Sequence, residues 1–175
     1  MTTTALTYTG VNLVSTSMAN PANVKTLNGI GASHTYGGQA VDTWTSTTFP
    51  FSIPANAIVA SITLVLTLKE AGSGYGQLNN IDIIAPSGTL AGLDASNFVF
   101  GIDNIYHTYT QTYNVSTIKA SDVNSNSTAF GVNMYFYNPT DSSATTPNLD
   151  AVAMQVAYSL PGGFRSRNRS FSRGR

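Results

Sequence analysis

The chain has 175 residues, of which 42% are hydrophobic and only 9% charged, with a formal net charge of zero and no cysteine. That length suits one domain with a sizeable core, and low charge combined with ample apolar content excludes an intrinsically disordered chain. Without cysteine, neither a disulfide framework nor a cysteine-based zinc site can form.

In chain order, residues 7–14 are predicted to form a first strand, followed by a loop around Asn20, Pro21 and Asn23 and a glycine-rich loop over residues 29–38. Residues 41–53 read as a strand with Phe49, Phe51 and Ile53 on one face; Pro50 and Pro54 limit its hydrogen bonding, so irregular pairing is expected there. Pro54-Ala55-Asn56 then turns into the longest pattern in the chain, residues 57–69. Its even positions are Ile58, Ala60, Ile62, Leu64, Leu66 and Leu68, and its odd positions include Ser61, Thr63, Thr67 and Lys69. A period of two predicts a strand with one buried face, and such a face needs a second sheet to cover it.

The connection Gly72-Ser73-Gly74-Tyr75-Gly76 has no helical character, and short apolar runs follow at residues 81–84, 98–102 and 106–115. The helical candidate is brief, about residues 116–123, and must pack against a sheet to persist. Two strong strands close the domain: Phe130, Val132, Met134 and Phe136 alternate with polar or small neighbours, as do Val152, Met154, Val156 and Tyr158. The prediction is an all-β, antiparallel, jelly-roll-like β-sandwich of eight or nine strands with one short helix. Its core should include Ile62, Leu64, Leu66, Phe130, Val132, Met134, Val152 and Val156.

Residues that carry chemistry are few. His34 and His107 are the only histidines, there is no His-Glu-x-x-His or P-loop, and Gly72, Gly74 and Gly76 precede no helix that could make a phosphate cradle. Each histidine reads as a surface or satisfied polar residue with no activating neighbour in sequence, and a triad with Ser33 is disfavoured. Asp94, Asp103, Asp141 and Asp150 match no Ca²⁺ loop spacing and read as solvated or turn-capping. The expectation is a non-enzymatic protein without metal or cofactor. Asn114-Val115-Ser116 and Asn126-Ser127-Thr128 match the glycosylation signal, which matters only in a eukaryotic secretory route. Tyr106, Tyr109, Tyr113, Tyr135 and Tyr137 are candidates for an exposed glycan-binding or adhesive surface, with half of them expected in ordinary packing. No stretch approaches the roughly 18 apolar residues of a membrane span, and residues 1–10 lack a basic segment followed by an apolar run. Neither a membrane partner nor export by a standard signal is expected.

Four segments carry a resemblance. They are Phe49-Pro50-Phe51-Ser52-Ile53-Pro54; Ala57-Ile58-Val59-Ala60-Ser61-Ile62; Ser121-Asp122-Val123-Asn124 leading to Phe130-Gly131-Val132; and Leu149-Asp150-Ala151-Val152 leading to Val156-Ala157-Tyr158. In that order they resemble a β-sandwich domain of tailed-phage virion structural proteins that also occurs in bacterial surface proteins. The similarity covers roughly residues 10–160. It implies a structural or adhesive module with no catalytic residues, and a turn-holding role for Asp150.

The charge balance is uneven. All eight acids precede Leu160, where only Lys25, Lys69 and Lys119 are positive, so that region is formally −5. The last eleven positions hold Arg165, Arg167, Arg169, Arg173 and Arg175, formally +5, with Phe164 and Phe171 beside them. The chain therefore divides into a sandwich domain, residues 1–160, and an arginine-rich tail, residues 161–175, which cannot bury a core of its own. The tail residues Phe164, Arg165, Arg167, Arg169, Phe171, Arg173 and Arg175 are the candidate partner-binding set. The leading expectation is a virion protein of a tailed phage, a capsid decoration, head-fibre or tail component, whose tail docks on other virion subunits in a homo-oligomeric assembly. The alternatives are a jelly-roll capsid protein whose arginine arm binds nucleic acid, or a surface module that binds a host glycan.

Overall fold

The computed structural model describes residues 1–10, 14, 18–38, 40–72, 76–96, 98–100, 103–125, 128–139 and 143–161. In chain order the strands are β1 (Thr2–Thr3), β2 (Thr7–Tyr8), β3 (Ala32–Ser33), β4 (Val41–Thr47), β5 (Ile58–Glu70), β6 (Gly76–Ile84), β7 (Leu90–Asp94), β8 (Val99–Phe100) and β9 (His107–Asn114). After a short helix α1 (Ala120–Val123) come β10 (Gly131–Tyr137) and β11 (Pro147–Ser159).

All pairings are antiparallel, and they build two sheets. The first runs β1–β11–β5–β9, with β2 and β3 also on the outer edge of β11; the second runs β4–β10–β6–β7, with β8 beside the start of β6. The pairs are nested. β6 lies beside β7, β5 beside β9, β4 beside β10 and β3 beside β11, as if one long hairpin had been wrapped around a common core. That nesting is the double Greek key of a jelly roll.

The wrap works because the inward positions of both sheets are apolar. Ile62, Leu64, Leu66 and Leu68 of β5 join Val132, Met134 and Phe136 of β10 and Val152, Met154 and Val156 of β11 in one buried cluster, with Trp44 against Phe136 at 4.2 Å between rings. All eight residues expected in the core are buried there. Phe49, Phe51 and Ile53 are buried as well, but not as a strand. β4 stops at Thr47 because Thr48 takes a left-handed φ of 61°, costly for a β-branched residue. The chain beyond is then held by side chains, with Asn124 donating to the Ile53 carbonyl and accepting from its N–H.

Two bulges in the first sheet reset the alternation. At the start of β5 the register slips by one residue between Ser61 and Val59, so Val59 is buried while Ile58 is 57% exposed, the reverse of the even-face pattern expected there. In β11 the slip falls at Asp150, between Leu149 and Ala151, which lets Leu149 and Val152 both face the core. Further differences lie at the edges. The expected strand over residues 7–14 is only β2 plus a single bridge at Val14, the loop over residues 29–38 contains β3, and the helix is confined to α1. Four of the eleven strand segments have two residues each, which is why the count exceeds eight or nine. These short pieces persist because a longer strand supplies their partner backbone, β11 for β1, β2 and β3 and β6 for β8, not because of any pattern of their own.

Candidate functional site

Asp150 organises one end of the sandwich. As the extra residue of the β11 bulge its side chain leaves the ladder, is 1% exposed, and accepts backbone N–H groups from the loop opposite. Asn28 and Ile30 donate to Oδ1, each at 3.2 Å, and Gly29 donates to Oδ2 at 3.0 Å. A carboxylate buried among three donors is satisfied and fixes the loop. Next to it, Gly31 N–H donates to the Tyr106 hydroxyl at 2.9 Å, and that hydroxyl donates to Asn148 Oδ1 at 2.6 Å. Residue 31 has to be glycine, since a Cβ there would stand 1.8 Å from Asn148 Oδ1. Lys69 Nζ lies 4.7 Å over the Tyr106 ring, a cation–π contact. Burial raises the Tyr106 pKa, with the Gly31 N–H opposing.

These contacts hold two loops that present apolar side chains to solvent. Ile30 precedes Gly31 and is 62% exposed; Ile105 precedes Tyr106 and is 59% exposed. Asp103 caps the second loop by accepting from Ile105 N–H at 3.0 Å, and its other oxygen lies 2.6 Å from His107 Nε2.

Beside this loop pair sits a second buried carboxylate. Glu70 closes β5 on its core-facing side and accepts from Gly72 N–H at 2.7 Å, from Thr146 N–H, and from the Thr145 hydroxyl at 3.2 Å. Asp42 Oδ2 lies 2.6 Å from His34 Nδ1 and accepts the Trp44 indole N–H at 2.6 Å. The buried Tyr36 hydroxyl has no hydrogen-bond partner among the described residues; desolvation, then Asp42 and Glu70, push its pKa far above the usual tyrosine value.

The opposite end carries a shallow groove of about 370 Å³ lined by residues 55–59 and by Ser116, Ile118, Lys119, Ala120 and Ser121. Among the described residues Lys119 is the only charged side chain in that lining. Beneath it Asp122 accepts the Lys119 N–H at 2.8 Å and the Ser87 hydroxyl, so this acid too is spent on structure. The groove thus lacks an acid–base pair.

The predicted tail residues Phe164, Arg165, Arg167, Arg169, Phe171, Arg173 and Arg175 lie outside the described residues, as do Asp141 and the first two residues, Asn126 and Ser127, of the second glycosylation motif. The three other loop aspartates cap turns: Asp94 accepts from Ser96, Asp103 from Ile105, and Asp150 from residues 28–30. Among the described residues no group of three or more His, Cys, Asp or Glu could hold a metal ion. The histidines do have aspartate partners, contrary to the expectation; for His107 the spacing of four residues from Asp103 was the available signal. No hydrogen bond joins Ser33 to His34 among the described residues, and His34 faces Asp42 instead. The five tyrosines do not share a face. Tyr109 and Tyr113 point inward from β9, with Tyr113 donating to the Asp94 carbonyl, whereas Tyr135 lies outward on β10 in the other sheet and donates to Asp82. Sequence reasoning missed Glu70, Asp42 and Tyr36.

The protein class defined here is a single jelly roll whose interior is filled by side chains, with Asp150, Glu70 and Asp122 committed to backbone donors. The chain matches no protein-family model and no curated protein sequence.

Proposed function

We propose that this chain is a non-enzymatic structural protein of a virus particle, in first place a capsid decoration, head-fibre or tail component of a tailed phage, working in the virion through contacts between subunits. The observation that carries this reading is the nested strand order of a jelly roll, an architecture of viral shells, lectins and cupins. A ligand-holding cupin keeps an open barrel, whereas here Trp44, Phe136, Leu64 and Met134 fill the interior. The polar clusters support the same reading, because the buried acids Asp150, Glu70 and Asp122 hold turns and Asp82 ties β6 to Gly92 of β7 and to Tyr135 of β10. In this account Phe164, Arg165, Arg167, Arg169, Phe171, Arg173 and Arg175 form a docking arm, with the phenylalanines as apolar anchors and the arginines meeting carboxylates or carbonyls of a neighbouring subunit.

A second reading is favoured by where the described chain ends. Ser159 pairs with Ile58 and Ile58 with Lys119, so Pro161 leaves the fold beside a cation and away from Asp42, Glu70, Asp103 and Asp150. An arginine arm starting there suits packaged nucleic acid, because Asp122, which lies beneath Lys119 at this end, is buried and engaged by the Lys119 N–H and the Ser87 hydroxyl. Truncation after Pro161 separates the two. A docking arm predicts folded protein that no longer enters the particle, while a genome-binding arm predicts particles depleted of nucleic acid and salt-sensitive binding of the full chain to DNA or RNA. Normal incorporation with normal genome content overturns both roles.

A further inference from the structure

The four sheet edges are not treated alike. The outer edge of β11 is covered by β1, β2 and β3 and by a bridge from Lys25 to Ala151. β4 takes a bridge from Val14, and β7 is short, with a register shift against β6 and Gly92 at φ +66°. Among the described residues β9 has none of these devices. Its eight residues run in unbroken register with β5, and among the described residues no other strand pairs with it. Its sequence, His-Thr-Tyr-Thr-Gln-Thr-Tyr-Asn, contains no Lys, Arg, Asp, Glu, Pro or Gly. A long, regular, uncharged edge is a template for pairing with another strand.

We propose that β9 is the seam of a two-fold dimer, pairing antiparallel with β9 of a second copy about an axis at Thr110. The occupant is set by the edge's own chemistry. The outward row of β9 is Thr108, Thr110 and Thr112, and two of these already make hydroxyl pairs across the ladder to β5, Thr112 with Thr63 at 2.8 Å and Thr108 with Thr67 at 3.0 Å. An axis at Thr110 sets Thr110 opposite its twin and Thr108 opposite Thr112 of the second copy, so the same threonine pairing continues through the seam. Charge is compatible: the one titratable imidazole, His107, is engaged by Asp103 of its own chain and faces Tyr113 of the second copy, so no like charges meet. The proposal goes beyond the virus-particle reading and does not rest on it.

The area sets the strength. Eight strand residues span roughly 27 Å, and a ribbon about 10 Å wide covers on the order of 270 Å² per copy, under half of what a stable dimer buries. The pair is therefore weak in dilute solution and forms where copies are concentrated. The absence of cysteine allows it to be trapped, because one introduced cysteine is the only thiol in the chain. Facing residues of antiparallel strands have Cα atoms about 4.5–5.5 Å apart, within the reach of a disulfide.

In the full chain, Thr110→Cys with oxidised glutathione is expected to give a covalent dimer at least about tenfold faster than Ala22→Cys, an exposed position away from β9. Adding Thr108→Lys and Thr112→Lys, which face lysine with lysine across the seam, should bring that rate down to the control. Circular dichroism and melting of each variant confirm that it is folded. A Thr110→Cys rate no greater than the control, a rate untouched by the lysines, or faster trapping at Gln111→Cys than at Thr110→Cys overturns the proposal.

Discussion

Replacing Asp150 tests whether the site end is built as described. Its carboxylate holds Asn28, Gly29 and Ile30 through three N–H bonds from a position 1% exposed. In Asp150→Asn the remaining oxygen keeps the Asn28 and Ile30 donors, while the new amide NH₂ meets the Gly29 N–H, donor against donor. One charge-assisted bond is lost and two are weakened, which at typical values costs about 2 kcal/mol. Asp150→Ala leaves all three donors without the carboxylate; because residues 28–30 are themselves exposed, water recovers part of the loss, and about 3 kcal/mol is expected. For a chain of this size that corresponds to a fall in Tm of roughly 4–12 °C. Urea unfolding gives the free energies, and amide exchange gives the location, since the amides of residues 28–30 should lose protection before the rest of the sheet. A loss below about 0.5 kcal/mol with unchanged exchange at these amides would refute the reasoning.

Leu64→Ala removes a side chain buried between the sheets and should cost about 2–5 kcal/mol by denaturation; under about 1 kcal/mol would mean that the even face of β5 is not the core face. Asp103 has its pKa lowered first by the Ile105 N–H and then by His107, so its stabilisation is present above the ordinary carboxylate range and is lost as pH falls through the lowered value. Asp103→Asn should flatten stability against pH in that acid window, and an unchanged profile counts against the cap. The chain is expected to have no hydrolase or transferase activity; an activity abolished in the folded His34→Ala/His107→Ala double variant would contradict that.

The legible parts of the fold were those whose side-chain pattern is self-sufficient. β5, β10 and β11 alternate over long runs, so their faces and the core followed from periodicity alone. The N-terminal edge was illegible because two-residue strands carry no period and exist only through β11. The bulges were hidden for the same reason: a single inserted residue flips Ile58 and Val59 without altering composition. Glu70 left a signal, since it occupies the next even position after Leu68 and so continues the buried face, but a charge at a strand end reads as an exit to solvent. The turn role expected for Asp150 is present, and its partners, 120–122 residues away, could come only from the fold. The tyrosines failed as a shared surface because β9 and β10 belong to different sheets.

The central claim, that the chain works as part of a virus particle, is tested most directly by immunogold electron microscopy with an antibody raised against the folded chain, applied to particles sedimented from cells that make it. The account predicts gold at a fixed, repeated position on regular particles, with the protein co-sedimenting. Protein found only in the slowly sedimenting fractions, with particles unlabelled, would contradict it.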